Sequence, residues 1–323
     1  VDRKIERAVE VLRAGGLVAF PTETVYGLGA DARSPEAVAG IFRAKGRPPA
    51  HPLIVHLPDA SHLPRWAARV PETAQALAGR FWPGPLTMIL AKRDDVPDAV
   101  TGGQSTVGLR VPAHPVALAL LRAFDGGVAA PSANRFGSVS PTTAQHVRDE
   151  LGEAVLVLDG GPCAVGVEST IVDLSGDVPR LLRPGGVSRA ELEAVLGTTV
   201  VVGGGTVRAP GTLASHYAPH AEVRAVPRGE LELAVRDAVA VGLRAVLLAP
   251  APLGGLPHLY LSDEPQERAA RLYAALREVD AHGYEVAVVA LSDEDEDGLA
   301  LAVSDRLRRA SAPRPGEPGS DLP

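Results

Sequence analysis

Six apolar runs of strand length punctuate the first half of this chain: LVAF (17–20), LIVHL (53–57), LTMIL (86–90), VGLRV (107–111), GVAA (127–130) and AVLVL (154–158). Each is short, and each is bounded by Gly, Pro or small polar residues, which marks buried strands. Between them lie amphipathic segments that read as helices near Ser34–Ala44, Pro71–Phe81, Pro115–Phe124 and Pro141–Leu151. Two further strands, STIVDL (169–174) and PRLLR (179–183), precede a helix over SRAELEAVLG (188–197). Alternating strands and helices predict an α/β layer, but several strands follow one another directly, so the sheet is expected to be mixed and not doubly wound.

Residues 200–219, VVVGGGTVRAPGTLASHYAP, carry no period that buries a face and read as a linker. Beyond it EVRAV (222–226), RAVLLA (244–249), HLYL (258–261) and YEVAVVAL (284–291) alternate with helices, the clearest at 264–283, and predict a second, smaller α/β domain. The last stretch, SAPRPGEPGSDLP, has almost nothing to bury and reads as a disordered tail. At 323 residues, 46% of them hydrophobic, the chain can fill two cores. No apolar run spans a bilayer, and the opening segment alternates charged and apolar residues instead of forming a secretory signal, so a cytoplasmic protein is expected. A lone Cys163 makes no internal disulfide and no zinc-ligand pair, and a net charge of −7 disfavours broad attraction to nucleic acid.

Six segments carry chemistry-bearing residues. FPTETVYGLGADA (20–32) puts Thr22, Glu23, Thr24 and Tyr26 on a loop at a strand's carboxyl end, where α/β sheets bind ligands, with Gly27 and Gly29 permitting close backbone approach. A turn whose hydroxyls serve their own backbone is the competing reading. In FRAKGRPPAHPLIVH (42–56), Arg43, Lys45 and Arg47 gather charge at a helix end. Dipole complementation explains that, yet lysine occurs only at 4, 45 and 92, and a compact ammonium suits a phosphate or reacting carboxylate. Arg110, inside an apolar strand, needs a counter-charge, either an internal Asp or Glu or a ligand carboxylate. Ser132 and Asn134 follow the GVAA strand, and Ser140-Pro141 reads as a helix cap followed by a first-turn proline, a start that could also receive phosphate. Ser169 and Arg183 sit at further strand ends.

Taken in order, FPTETVYGLGADA, KGRP before PLIVH, TVGLRVP, PSAN with SVSP, ESTIVDL and LLRPG resemble the successive signatures of the YrdC family. APGTLASHYAP and the domain after it resemble that family's two-domain form. The resemblance implies a YrdC-like twisted mixed sheet with flanking helices at 1–197, a linker at 198–219, a Rossmann-like α/β domain at 220–307 and a tail at 308–323. It further implies a nucleotidyltransferase that makes L-threonylcarbamoyladenylate and pyrophosphate from L-threonine, bicarbonate or carbon dioxide, and ATP accompanied by Mg²⁺. The product would be handed to a tRNA threonylcarbamoyl transferase, without direct tRNA binding. Carried across, threonine would meet Thr24, His56, Arg110, Ala130 through its backbone, and Ser169. ATP would meet Arg47, His51, Thr106, Ser132, Asn134, Ser140, Arg183 and Tyr217, with Lys45 and Arg47 as catalytic cations and no protein metal site. This chain has His51 where the family often has Asn, and Leu213, Ala214 and Ser215 where basic and aromatic residues are usual. An RNA-binding module and a carbamoyl transferase using carbamoyl phosphate are the alternatives; net acidity opposes the first, and missing acyl-phosphatase and zinc-finger segments oppose the second.

Overall fold

The structure is a computed structural model that describes residues 3–212, 216–291 and 297–313. The chain forms two compact units, Val1–Phe136 with Pro141–Thr212, and Gly137–Ser140 with Leu213–Pro323.

The first unit opens with α1 (Arg3–Arg13), whose Ile5, Ala8, Val9 and Leu12 recur at helical spacing and are buried. Strands β1 (Val18–Phe20) and β2 (Gly27–Asp31) follow as an antiparallel pair. Helix α2 (Pro35–Lys45) starts where the Ser34 hydroxyl accepts from the Ala37 amide, and stops at Gly46, whose φ of 63° only glycine adopts cheaply. Then come β3 (Ile54–His56), a 3₁₀ turn at Ala60–Arg65, α3 (Glu72–Phe81), β4 (Leu86–Ala91), the short α4 (Asp98–Thr101) and β5 (Thr106–Arg110). Helix α5 (Pro115–Phe124), β6 (Val128–Ala129), α6 (Ala144–Leu151), β7 (Leu156–Val157), β8 (Thr170–Asp173) and β9 (Arg180–Arg183) continue the layer. Helix α7 (Arg189–Leu196) is closed at its start by a capping box between Ser188 and Glu191, and β10 (Val201–Val202) ends the series.

These strands make one ten-stranded sheet, in the order β10-β9-β8-β4-β5-β3-β6-β2-β1-β7. Pairs β3·β5, β4·β8, β1·β7 and β9·β10 are parallel and the rest antiparallel, which is the mixed sheet expected from strands that follow one another directly. One face packs Ala19, Leu28, Val55, Met88, Leu109, Val172 and their neighbours against α2, α3 and α7 in the main core. On the opposite face, Val18, Phe20, Val128 and Ala130 are covered by α1 and α5, while Ile54, Ile89 and Ile171 meet Ala209.

The second unit holds β11 (Glu222–Val226), α8 (Leu231–Ala240), β12 (Ala245–Ala249), β13 (His258–Tyr260), α9 (Pro265–Ala281), β14 (Val286–Ala290) and α10 (Gly298–Ala310). Its four strands are all parallel, in the order β11-β14-β12-β13. That is a parallel α/β layer, although its strand order is not the 3-2-1-4 succession of dinucleotide-binding halves.

Four local expectations change. Residues 27–31, read as loop, are a strand, because Gly27 and Gly29 pack under neighbouring side chains: a Cβ on Gly29 would stand 2.7 Å from Val128 Cγ1 and 2.8 Å from Phe20 Cε1. The glycines thus admit protein, not ligand. Helix α6 begins at Ala144 and not at Pro141; Thr143, not Ser140, is its cap, accepting from the His146 amide at 3.2 Å. The segment expected as linker divides: β10 pairs with β9, Ala209 packs in the first unit, and residues 198–212 belong there. Helix α10 runs past 307 to Ala310, since Leu307 and Ala310 are both buried; the tail expected beyond lies, from 314, outside the described residues.

Candidate functional site

Strand alternation assembles the site. Side chains two residues apart share a face, and residues paired across strands share it too. Ile54 and His56 therefore lie beside Gly108 and Arg110 of β5; Gly108 pairs with Ile89 of β4, and Thr87, two residues from Ile89, shares its face. Thr87 pairs with Ile171, and Ile171 with Arg183. Thr106, His56, Arg110, Ser169 and Arg183 thus occupy one face of the sheet, the one opposite the main core. The expectation of a site built on loops at strand ends is corrected to a site floored by strand side chains and rimmed by loops.

Arg110 is 4% exposed, and its counter-charge is internal: Nη2 donates to Glu23 Oε1 at 2.7 Å, and Nε donates to the Gly84 carbonyl at 3.2 Å. The second oxygen of Glu23 accepts from the Ala113 amide at 3.0 Å. The turn carrying Glu23 is stapled by Thr22, whose hydroxyl donates to the Val25 carbonyl at 2.7 Å and receives the amides of Thr24 and Val25 at 3.2 Å. For Thr22 the hydroxyl does serve its own backbone. The Thr24 hydroxyl, fully buried, meets only Thr22 Oγ1 at 2.8 Å.

His56 neighbours Arg110 across β3 and β5 and stands edge-on to Phe20, ring centroids 5.9 Å apart. Burial, helped by the Arg110 charge and opposed by backbone groups of Ile54 and Val128, pushes its pKa down from 6.5 to about 3. The imidazole is neutral at physiological pH. Its Nδ1 is buried with no hydrogen-bond partner among the described residues, a costly state that a polar ligand would relieve.

The cationic segment converges on the loop after β6. Lys45 is buried, and its Nζ donates to the carbonyls of both Ser132 and Asn134. Burial first, then repulsion from Arg47, holds its pKa well below the ordinary lysine value, with Glu150 acting in the opposite sense. The loop is fixed to β2 by the Gly27–Ser132 bridge and the Ala133 amide on the Tyr26 carbonyl at 2.8 Å; Ala130 is held by its amide on the Ile54 carbonyl at 3.0 Å. Arg47 donates to the Pro52 carbonyl at 3.1 Å, and His51 stands 5.4 Å from the Phe136 ring. Partial burial and then the charges of Arg47 and Arg208 depress the pKa of His51.

Ser169 Oγ is 2.8 Å from Thr87 Oγ1. Arg183 donates through Nε and Nη2 to the Ser169 carbonyl, through Nη2 to its hydroxyl at 3.1 Å, and through Nη1 to the Pro210 carbonyl at 2.9 Å. It joins Ser169 to the 207–210 segment. Over Thr87, Ile89, Thr106, Gly108 and Ile171 lies a cleft rimmed by Arg208 and Pro210.

Of the fourteen residues to which the family resemblance assigns a role, twelve belong to the first unit. Ser140 and Tyr217 belong to the second, where the Tyr217 ring stacks on Tyr273 at 5.8 Å and lies under the Arg306 guanidinium at 5.3 Å. Leu213, Ala214 and Ser215 lie outside the described residues. Sequence reasoning named Glu23 but gave it no partner, although the need of Arg110 for a carboxylate was the signal. It passed over Arg208, which bonds to the carbonyls of Ala50 and Gly102 at 3.0 and 2.8 Å and exchanges bonds with Gln104. Tyr26 is a structural pin, its hydroxyl on the Gly161 carbonyl at 2.8 Å. Burial raises the Cys163 thiol to about 12, so it carries little thiolate. Among the described residues no group of three or more His, Cys, Asp or Glu side chains could hold a metal ion, and no helix is long and apolar enough to cross a membrane.

Comparison with known proteins matches residues 10–185 to the Sua5–YciO–YrdC family, described under the heading of telomere recombination, and residues 187–312 to the C-terminal domain of threonylcarbamoyl-AMP synthase. A threonylcarbamoyl-AMP synthase of Pyrococcus abyssi is 44% identical, over 96% of this chain and 95% of that one. One of Bacillus subtilis is 41% identical over 97% and 94%. The crystal structure of P. abyssi Sua5 complexed with L-threonine superposes with a TM-score of 0.90 at 42% identity, covering 95% of this chain and 94% of that one.

Proposed function

The chain belongs to the Sua5–YciO–YrdC family, and from that premise we propose that it synthesises L-threonylcarbamoyladenylate from L-threonine, bicarbonate or carbon dioxide, and ATP, releasing pyrophosphate. The observation that carries the reading is the near-complete, 44% identical match to a threonylcarbamoyl-AMP synthase, on a chain whose one sheet face gathers Arg110, His56, Ser169 and Thr106.

The threonine carboxylate is taken by Arg110, whose bonds to Gly84 and Glu23 use only Nε and Nη2 and leave part of its planar fork for a carboxylate. His56 is neutral, and its unpaired Nδ1 offers the substrate a hydrogen bond without a competing charge. Ser169, held by Thr87 and Arg183, and the backbone of Ala130 complete this half. Lys45 fixes the Ser132–Asn134 loop, which, with Arg47, His51, Thr106 and Arg183, makes the nucleotide half. Mg²⁺ enters as part of the nucleotide substrate.

The threonine amine adds to carbon dioxide to give a carbamate and loses a proton. A carbamate oxygen then attacks the α-phosphorus of ATP, and the bond to pyrophosphate breaks. Neither step needs a nucleophile from the protein, so rate enhancement comes from positioning and from cations facing the phosphates. The enzyme is thereby a nucleotidyltransferase whose product serves threonylcarbamoyl modification of tRNA adenosine next to the anticodon, after handover to the transferase that performs it.

The test is pyrophosphate release with each substrate omitted in turn, joined to mass spectrometry of the product from labelled bicarbonate. Release is expected only when ATP, threonine and bicarbonate are all present. Release without threonine refutes the reading.

A further inference from the structure

Glu23 is a buried carboxylate to which the reaction above gives no part. It lies on the same guanidinium that the substrate carboxylate is to use. Nε and Nη2 of Arg110 form one edge of its fork, and that edge is spent on the Gly84 carbonyl and on Glu23 Oε1, 3.2 and 2.7 Å away. Among the described residues no acceptor meets Nη1. The second edge, Nη1 with the remaining Nη2 proton, is the one a ligand carboxylate can take in bidentate fashion. Glu23 is itself held from two sides, by Arg110 and by the Ala113 amide at 3.0 Å, on a turn stapled by Thr22.

Two carboxylates would then share one guanidinium, both reaching Nη2. Like charges so close in a buried site repel, and the repulsion is not relieved by a single cation. A ligand that carries its own positive charge one carbon from its carboxylate removes the conflict: guanidinium, Glu23, ligand carboxylate and ligand ammonium sum to zero. A plain carboxylic acid leaves the buried cluster with one uncompensated negative charge. We propose that Glu23 is a specificity-determining residue that orients Arg110 by one edge and makes the site select the zwitterion of an α-amino acid over the corresponding acid without an amine. This rests on the reading of Arg110 as the threonine clamp.

The experiment is calorimetric titration of the full chain with L-threonine and with 3-hydroxybutanoate, its des-amino analogue. Wild type is expected to bind threonine at least about tenfold more tightly than the analogue, as loss of one charge-assisted contact implies. Glu23→Gln, which keeps an acceptor but no charge, should weaken threonine and tighten the analogue, closing the gap about tenfold or more. Glu23→Asp should keep the preference. If Glu23→Gln weakens both ligands equally, or leaves their ratio unchanged, the inference is overturned. Should that variant fail to fold, equal binding of the two ligands by wild type overturns it alone. Wild type that binds no threonine at all would instead refute the functional reading beneath it.

Discussion

His56 should make the first unit sensitive to acid in a window that its surroundings define. An unfolded chain titrates histidine near 6.5, whereas burial beside Arg110 holds the folded value at about 3. A folded pKa below the unfolded one means that between those values the unfolded state binds the extra proton. Stability from this group is therefore complete above pH 6.5 and is lost as pH falls through the window. One pKa unit corresponds to about 1.4 kcal/mol, so the loss is about 1.4 kcal/mol at pH 5.5 and roughly 2.7 kcal/mol at pH 4.5, by order of magnitude. Both tryptophans, Trp66 and Trp82, lie in the first unit, so intrinsic fluorescence in urea follows that unit's unfolding without a probe. His56→Asn removes the titrating group while leaving every other carboxylate and histidine in place. The variant is expected to start less stable at pH 7.5 and to lose about 1.4 kcal/mol less than wild type between pH 7.5 and 5.5. Equal acid losses in the two proteins would refute the claim that His56 is held neutral.

Two substitutions probe the rest of the face. Arg110→Lys keeps a cation for Glu23 but loses the planar fork, and should raise the KM for threonine about tenfold or more while nucleotide binding by calorimetry stays near wild type; equal loss of both would count against a threonine role. Gly185→Ala would place a Cβ 2.2 Å from the Thr170 amide nitrogen, 2.5 Å from the Ser169 carbonyl carbon and 2.6 Å from the Glu168 oxygen, all backbone that cannot swing aside. It should cost at least the upper end of the roughly 1–3 kcal/mol typical of overpacking, read by urea unfolding against Gly186→Ala, whose Cβ meets only side chains, the Pro85 ring at 3.0 Å and Val165 Cγ1 at 3.7 Å. Wild-type stability of Gly185→Ala would mean that this turn does not press on the entry to β8.

The strands and most helices were legible because their signals are local. Ser34 and Gly46 bracket α2 by capping chemistry, and Ser188 with Glu191 announces α7 through its capping box. The misread segments each involve a partner far away in the chain. Gly27 and Gly29 look like loop glycines until Phe20, Val128 and Ala130 are known to press on them. Val201 and Val202 read as linker because only β9 makes them a strand. Ser140-Pro141 imitates a helix start better than Thr143 does, and only the bond from the His146 amide decides for Thr143.

The same distinction explains what was readable of the site. Single residues could be singled out from type and motif, since a lysine in an arginine-rich chain or an arginine in an apolar strand is odd wherever it occurs. Their grouping could not be, because it depends on register: His56 stands beside Arg110 only through pairing of residues 54 positions apart. A one-residue slip of β5 against β3 would turn Arg110 into the main core and bring Leu109 to the ligand face. Register is held by what that core side demands, since Val55, Met88, Leu109 and Val172 must all point into it. The apolar alternation that was read as evidence of strands is thus also what aims the polar residues between them. Substitutions in the main core that loosen this pairing should therefore damage threonine binding before any residue of the site itself is changed.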